Sequence, residues 1–198
     1  MVNKLSALLL CVTSLSLGAC DLESSLPEAT GKASIRAINA IPASGEVNFL
    51  IEARSLGALN YKAASSTVRY DDLNYTFSFE VFYAGEDSVR RIASRNIDFE
   101  VGKDYTLLLS GELTSPTLTL WEGEEREFGE ADTVFEAKFA HAAASLGSVD
   151  YYFDDPAVAP VLGNQVATLT FGEVSAPVDY AEGTYVLTIT EAGDPDAV

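Results

Sequence analysis

Residues 75–81 run Tyr-Thr-Phe-Ser-Phe-Glu-Val. Apolar or aromatic side chains stand at 75, 77, 79 and 81, and polar ones at 76, 78 and 80. Successive side chains of a strand point to opposite faces, so this alternation predicts one packed face and one wetted face. The pattern continues outward in both directions. Val47, Phe49 and Ile51 alternate with Asn48 and Glu52, and Ile97, Phe99 and Val101 alternate with Asp98 and Glu100. Tyr105, Leu107 and Leu109 continue the series, and Leu118 and Leu120 end it. Gly, Asp, Asn and Pro punctuate the runs at residues 41–45, 70–74, 83–87 and 100–104. No long helical period follows residue 19. About seven short strands in about ninety residues predict an all-β fold, an antiparallel sandwich of immunoglobulin-like type.

The chain repeats this unit. Residues 33–52 align without gaps on 135–154, with Ala40, Gly45 and Val47 matching Ala142, Gly147 and Val149. Farther on, Leu59, Ser65, Val68, Tyr70 and Tyr75 recur as Leu169, Ser175, Val178, Tyr180 and Tyr185. The second spacing is longer, which predicts an insertion near Pro156–Gly163. Matches in one order with a loop insertion between them indicate duplication. The expected organisation is a first β-sandwich repeat over 32–122, an acidic linker over 123–133 and a second repeat over 134–198. Judged against the first, the second repeat is incomplete at its C-terminal end. A truncated chain is the expected reading. Completion by a partner's strand is the alternative.

Residues 1–19 have the layout of an export signal. Lys4 is their one charge, Leu5 to Leu17 are mostly apolar, and Leu17-Gly18-Ala19-Cys20 closes the segment. The apolar run is short for a bilayer span. The four residues resemble a bacterial lipobox, in which cleavage falls before the cysteine and the sulfur takes a diacylglycerol. Cys20 is therefore the expected lipidation site. The membrane, reached through that lipid, is the expected partner on the periplasmic or cell-surface side. Asp21 follows the cysteine, a retention signal in some enteric bacteria, so the choice between inner and outer membrane stays open. Residues 20–31 read as a tether spanning on the order of 20 Å as flexible coil. Cys11 lies in the signal, so no second thiol remains for a disulfide or a thiolate metal site.

The motifs of the duplicated unit resemble the domain of unknown function 4397 family, common in bacterial envelope lipoproteins. They include Asn39-Ala40-Ile41-Pro42 and His141-Ala142 at a strand end. Val47-Asn48-Phe49 and Val149-Asp150-Tyr151-Tyr152 follow, and later come Gly183-Thr184-Tyr185 and Gly102-Lys103-Asp104-Tyr105-Thr106. Asn39 stands where the family has His, and Leu73-Asn74-Tyr75 where it has Gly-Thr-Tyr. The resemblance implies a β-sandwich in the cell envelope. It brings no established activity, so no functional residue is carried over.

The formal net charge is −18. Such a surface repels phosphate backbones, which disfavours nucleic acid as a partner. His141 is the one histidine, so any proton relay would have to use it. It shares parity with Phe135, Ala137 and Phe139, and its counterpart is Asn39, which cannot shuttle a proton near neutral pH. Both are expected to tie a strand end to its turn. Asp71-Asp72, Asp154-Asp155, Asp194-x-Asp196 and Glu122–Glu127 lack the spacing of a calcium loop and are expected to cap turns or stay solvated. Tyr75, Tyr105 and Tyr185 each begin a strand after a turn and suit tyrosine corners. No metal site, catalytic residue or cofactor is expected, because no phosphate-cradling glycine loop or metal-spaced His set is present.

Trp121 is the candidate ligand-binding residue. Leu118 and Leu120 take the core parity, which leaves Trp121 on the other face with Thr117 and Thr119. An exposed indole would stack on a glycan or anchor an envelope protein; burial against the linker or the second repeat is the reading expected ahead of it. The expected function is a lipid-anchored, non-enzymatic binding or adhesion module. A structural spacer comes next, and a hydrolase last.

Overall fold

A computed structural model describes residues 28–82, 89–129 and 131–197. The export signal, Cys20 and most of the tether lie outside the described residues. Thirteen strands follow one another, and no helix occurs among the described residues. They are β1 (Lys32–Asn39), β2 (Val47–Ile51), β3 (Arg54–Leu59), β4 (Val68–Asp71), β5 (Asn74–Phe82), β6 (Val89–Asp98), β7 (Lys103–Glu112) and β8 (Ser115–Glu124) in a first unit. A second unit holds β9 (Val134–Ala137), β10 (Val149–Asp154), β11 (Ala167–Leu169), β12 (Val178–Ala181) and β13 (Val186–Glu191).

The first unit is a sandwich of two four-stranded sheets, ordered β4-β1-β7-β8 and β3-β2-β5-β6. Alternating residues of the strands face inward as their period requires: Phe49, Phe77, Phe79, Leu107 and Leu109 are fully buried in one core, whereas Val101 falls in the β6–β7 turn and is exposed. Phe49 lies 5.8 Å from the Phe77 ring and 5.2 Å from that of Phe79. One pair departs from the expected antiparallel pattern. β1 and β7 run parallel, with Ile35 beside Tyr105 and Ala37 beside Leu107. No hairpin joins them, and the intervening strands supply the long connection that a parallel pair needs.

The second unit has a sheet β11-β10-β13 and a pair β12-β9. Tyr151 lies opposite Ile189 and Phe153 opposite Leu187, as Phe49 lies opposite Phe79 and Ile51 opposite Phe77. Its aromatic core is smaller: Phe153 stacks on Tyr185 at 5.0 Å and meets Tyr180 edge-on at 4.8 Å. β2 turns into β3 across Glu52 and Ala53, whereas residues 155–166 join β10 to β11, where the sequence places its insertion.

Contacts from β8 and the β7–β8 turn help seat the second unit against the first. The Thr119 hydroxyl donates to the Gly172 carbonyl at 3.4 Å. Gly111 sits at φ 85° in the β7–β8 turn, a left-handed conformation that suits glycine. A Cβ there would lie 3.3 Å from the Ser115 carbonyl oxygen and 3.7 Å from the Phe171 ring. The incoming chain is also fixed. The Asp72 carboxylate accepts from the Thr30 hydroxyl at 2.6 Å and from the Thr30 and Gly31 amides. These bonds, the hydroxyl's first, hold its pKa below the ordinary value of 3.8.

Candidate functional site

The sequence candidates fall into two places. The first is the strand-end polar pair. Asn39 and His141 are both buried, at 0% and 2% exposure. Asn39 Oδ1 accepts from the Ile41 amide at 3.0 Å, and its Nδ2 donates to the Leu59 carbonyl and the Ser44 hydroxyl at 2.9 Å each. His141 repeats the first of these bonds and makes its second to a different partner. Its Nδ1 accepts from the Ala143 amide at 3.2 Å, and its Nε2 lies 2.8 Å from the Gly147 carbonyl oxygen. With Nδ1 accepting, the proton belongs on Nε2, which donates to Gly147. Neither nitrogen is turned to a substrate. Around them the backbone pattern matches as well: the Ser65 and Ser175 hydroxyls accept from the Ala37 and Phe139 amides at 3.0 and 2.9 Å.

The acidic clusters are spent locally. Asp71 pairs with Lys32, Asp72 clamps residues 30–31, Asp155 accepts from the Ala157 amide and Asp194 from the Asp196 amide. Glu125 bonds Arg69 and Ser34, and Glu124 bonds Lys103. The Tyr105 hydroxyl accepts from the Glu100 amide and donates to the Asp98 carbonyl, and the Tyr185 hydroxyl donates to Ala181. These two are tyrosine corners. Tyr75 instead packs its ring on Tyr70 and Phe99, each at 5.5 Å.

The second place is a groove beside Trp121. β8 sets Leu118 and Leu120 against the first core and turns Trp121 to the opposite face, in register with Thr106 of β7. There a cavity of about 540 Å³ opens between the outer face of the β4-β1-β7-β8 sheet and the start of the second unit. Arg36, Asp104, Thr106 and Trp121 line one side, and Glu136 and Lys138 the other, with Arg126 and Phe128 of the connecting segment at the rim. Trp121 is half-buried, and its indole nitrogen is shielded with no hydrogen-bond acceptor in the structure. The side chain is thus neither free on the surface nor sealed in a core.

Arg126 shapes this wall, and its role went unseen in the sequence. It bonds the Asp179 carboxylate of the second unit, lies 3.9 Å from Glu136 and stacks 4.6 Å over the Phe128 ring. Lys138 reaches Glu136 at 3.4 Å and closes over the bare Cα of Gly123. The available signal was one arginine inside an otherwise acidic run, Glu122-Gly-Glu-Glu-Arg-Glu-Phe. A lone cation there has carboxylate partners on every side, so its sequence position cannot name the distant one. Cations, carboxylates and a π-face around one groove can hydrogen-bond hydroxyls and stack a ring; no reactive nucleophile–base pair is assembled there.

The described residues therefore define an all-β protein of the sandwich type, with a polar groove at the join of its two units. Residues 33–152 match the profile of a family described as Domain of unknown function (DUF4397), and the chain belongs to that family. The match runs from β1 into β10. No curated protein matches the chain.

Proposed function

We propose that this protein is a lipid-anchored, non-enzymatic binding module of the cell envelope, built of tandem repeats and holding a glycan in the Trp121 groove. The half-buried indole carries this reading. It presents part of a π-face beside Arg36, Asp104, Lys138 and Glu136, the mix of stacking and hydrogen-bonding groups that a sugar ring engages. The matched bonds of Asn39 and His141, and of Ser65 and Ser175, support the duplication. The envelope location rests on Leu17-Gly18-Ala19-Cys20 and on the family. A spacer is the second reading, favoured by the Arg126–Asp179 bond that ties the connecting segment to the second unit.

Trp121 is the single tryptophan of the chain, so its fluorescence reports the groove alone. Titration with soluble envelope glycans is expected to shift the emission saturably. Trp121→Ala is expected to weaken binding on the order of 10- to 100-fold with an unchanged circular-dichroism spectrum. An emission unmoved by every glycan tested would leave the spacer reading in place.

The anchor is tested apart. Metabolic labelling with a radioactive fatty acid is expected to mark the wild-type product and not Cys20→Ser. An unlabelled wild type would remove the lipid anchor from the proposal.

A further inference from the structure

Residues 156–162 read Pro-Ala-Val-Ala-Pro-Val-Leu, an uncharged apolar run in the loop from β10 to β11. Val158, Val161 and Leu162 are 51%, 52% and 59% exposed. The loop is nonetheless shaped by hydrogen bonds. The Val158 amide donates to the Asp155 carbonyl at 2.8 Å and the Asn164 amide to the Val161 carbonyl at 2.9 Å, which closes two turns. Pro156 and Pro160 have no amide hydrogen, and the amides of Ala157 and Val158 are both bonded to Asp155. Much of this backbone therefore does not depend on water for its donors. The corresponding turn of the first unit, Glu52 and Ala53, is exposed as well, but it is flanked by Arg54 and carries no apolar run. Exposure thus belongs to this corner of the fold, and the apolar tip to the second unit. Single exposed aliphatics are ordinary, whereas a contiguous uncharged group of them marks a contact surface.

The position of the loop identifies what it meets. Thr30 and Gly31 are clamped on Asp72 in the β4–β5 turn, and the Gly102 amide of the β6–β7 turn bonds the Lys32 carbonyl. The chain therefore enters the first unit at the end that carries these turns. β8 returns to that end, with Glu124 opposite Lys103. Just beyond, Arg126 bonds Asp179, which lies opposite Glu136 of β9. Phe135 of β9 meets Phe153, near the end of β10, at 6.3 Å. At the other end Gly111 faces Phe171, and the adjacent Gly172 amide bonds the His141 carbonyl beyond β9. The units stand side by side with like ends together, and the loop leaves β10 at the end where the tether enters.

We propose that the 156–162 loop seats in the interface of a zwitterionic bilayer and orients the protein on it, an inference that rests on the lipid anchor at Cys20. The tether spans on the order of 20 Å as coil, so the lipid holds this end within reach of the surface. Three half-exposed aliphatics hold a protein weakly by themselves, and a second, covalent attachment raises their effective concentration at the membrane. The adjoining Asp154-Asp155 and the net charge of −18 are repelled by anionic lipid, which leaves zwitterionic headgroups as the surface that fits.

The test uses the lipidated chain in phosphatidylcholine vesicles, with Trp121→Phe and Leu162→Trp placing the one indole in the loop. A blue-shifted emission, quenched by lipids brominated on the acyl chain, is expected. Val161→Asp added to that pair is expected to lower the quenching on the order of fivefold or more. Ala53→Trp with Trp121→Phe places the indole on the corresponding turn of the first unit and is expected to stay water-like and unquenched. Residues 53, 161 and 162 are exposed, so circular dichroism of these variants is expected to match the wild type. A chain that carries fatty acid on Cys20 but keeps a water-like emission from the loop overturns the proposal and leaves the anchor standing. Equal quenching at both indole positions overturns it too, because the indole's own affinity then explains the signal. So does a shift that requires added envelope protein, which assigns the loop to a protein partner. A chain that takes up no fatty acid overturns the anchor and this proposal with it.

Discussion

Asn39→Leu is expected to lower the unfolding free energy by about 3–5 kcal/mol, among the largest effects of any polar substitution in the chain. The side chain is nearly isosteric, so the loss is not one of volume. Asn39 is fully buried and satisfies three groups at once: the Ile41 amide, the Leu59 carbonyl and the Ser44 hydroxyl. Leucine leaves the first two buried without those partners, and each orphaned group costs roughly 1–3 kcal/mol. The same argument applied to His141 separates residue identity from residue geometry. His141→Leu is expected to cost about 2–4 kcal/mol, because the Ala143 amide and Gly147 carbonyl lose their partners. His141→Asn restores an acceptor and a donor at one strand end, as Asn39 does, and is expected to cost about 1 kcal/mol or less. Urea denaturation of the three variants checks this. Equal losses for His141→Asn and His141→Leu would mean that the imidazole does something that tying the turn does not explain.

That pair also shows how far the sequence could be read. Period-two alternation at Phe77 and Phe79 demanded a sandwich face, and the parity of Leu118 and Leu120 put Trp121 on the opposite face of β8, where the structure half-buries it in the groove. The counterpart relation of Asn39 and His141 was legible because a buried strand end needs one donor and one acceptor, and both side chains supply them. The parallel β1–β7 pair was not legible, since alternation says which face a residue takes and nothing about which distant strand lies beside it. The far wall of the Trp121 groove was hidden for the same reason. Lys138 and Glu136 reach it only because the second unit docks on the Thr119 and Gly111 side of the first. Charge runs fix no partner, so Arg126 could not be assigned to Asp179 from spacing alone.

Phe49→Ala is the second large expectation, at about 3–5 kcal/mol. Phe49 is the centre of an aromatic column, stacked on Phe77 and Phe79 and sealed by the opposite sheet through Leu107 and Leu109. Truncation leaves a hole that neither sheet can collapse into, because both faces are held by continuous ladders. The equivalent change in the second unit, Tyr151→Ala, is expected to cost less, about 2–3 kcal/mol. It removes the hydroxyl bond to the Ala140 carbonyl at 2.8 Å. The space it vacates, however, borders Ile189, which water already reaches, so a smaller cavity penalty adds to the lost transfer energy. Two units of unequal closure need not unfold together, and a single bulk midpoint would mix them. Hydrogen exchange resolved by strand is the suitable measurement. Phe49→Ala is expected to raise exchange across β2 and β5 while leaving β10 near its wild-type rate, and Tyr151→Ala to do the reverse. If either variant opens both units equally, the Thr119–Gly172 and Arg126–Asp179 contacts make one cooperative body of the chain, and the groove at Trp121 is as rigid as the cores that flank it.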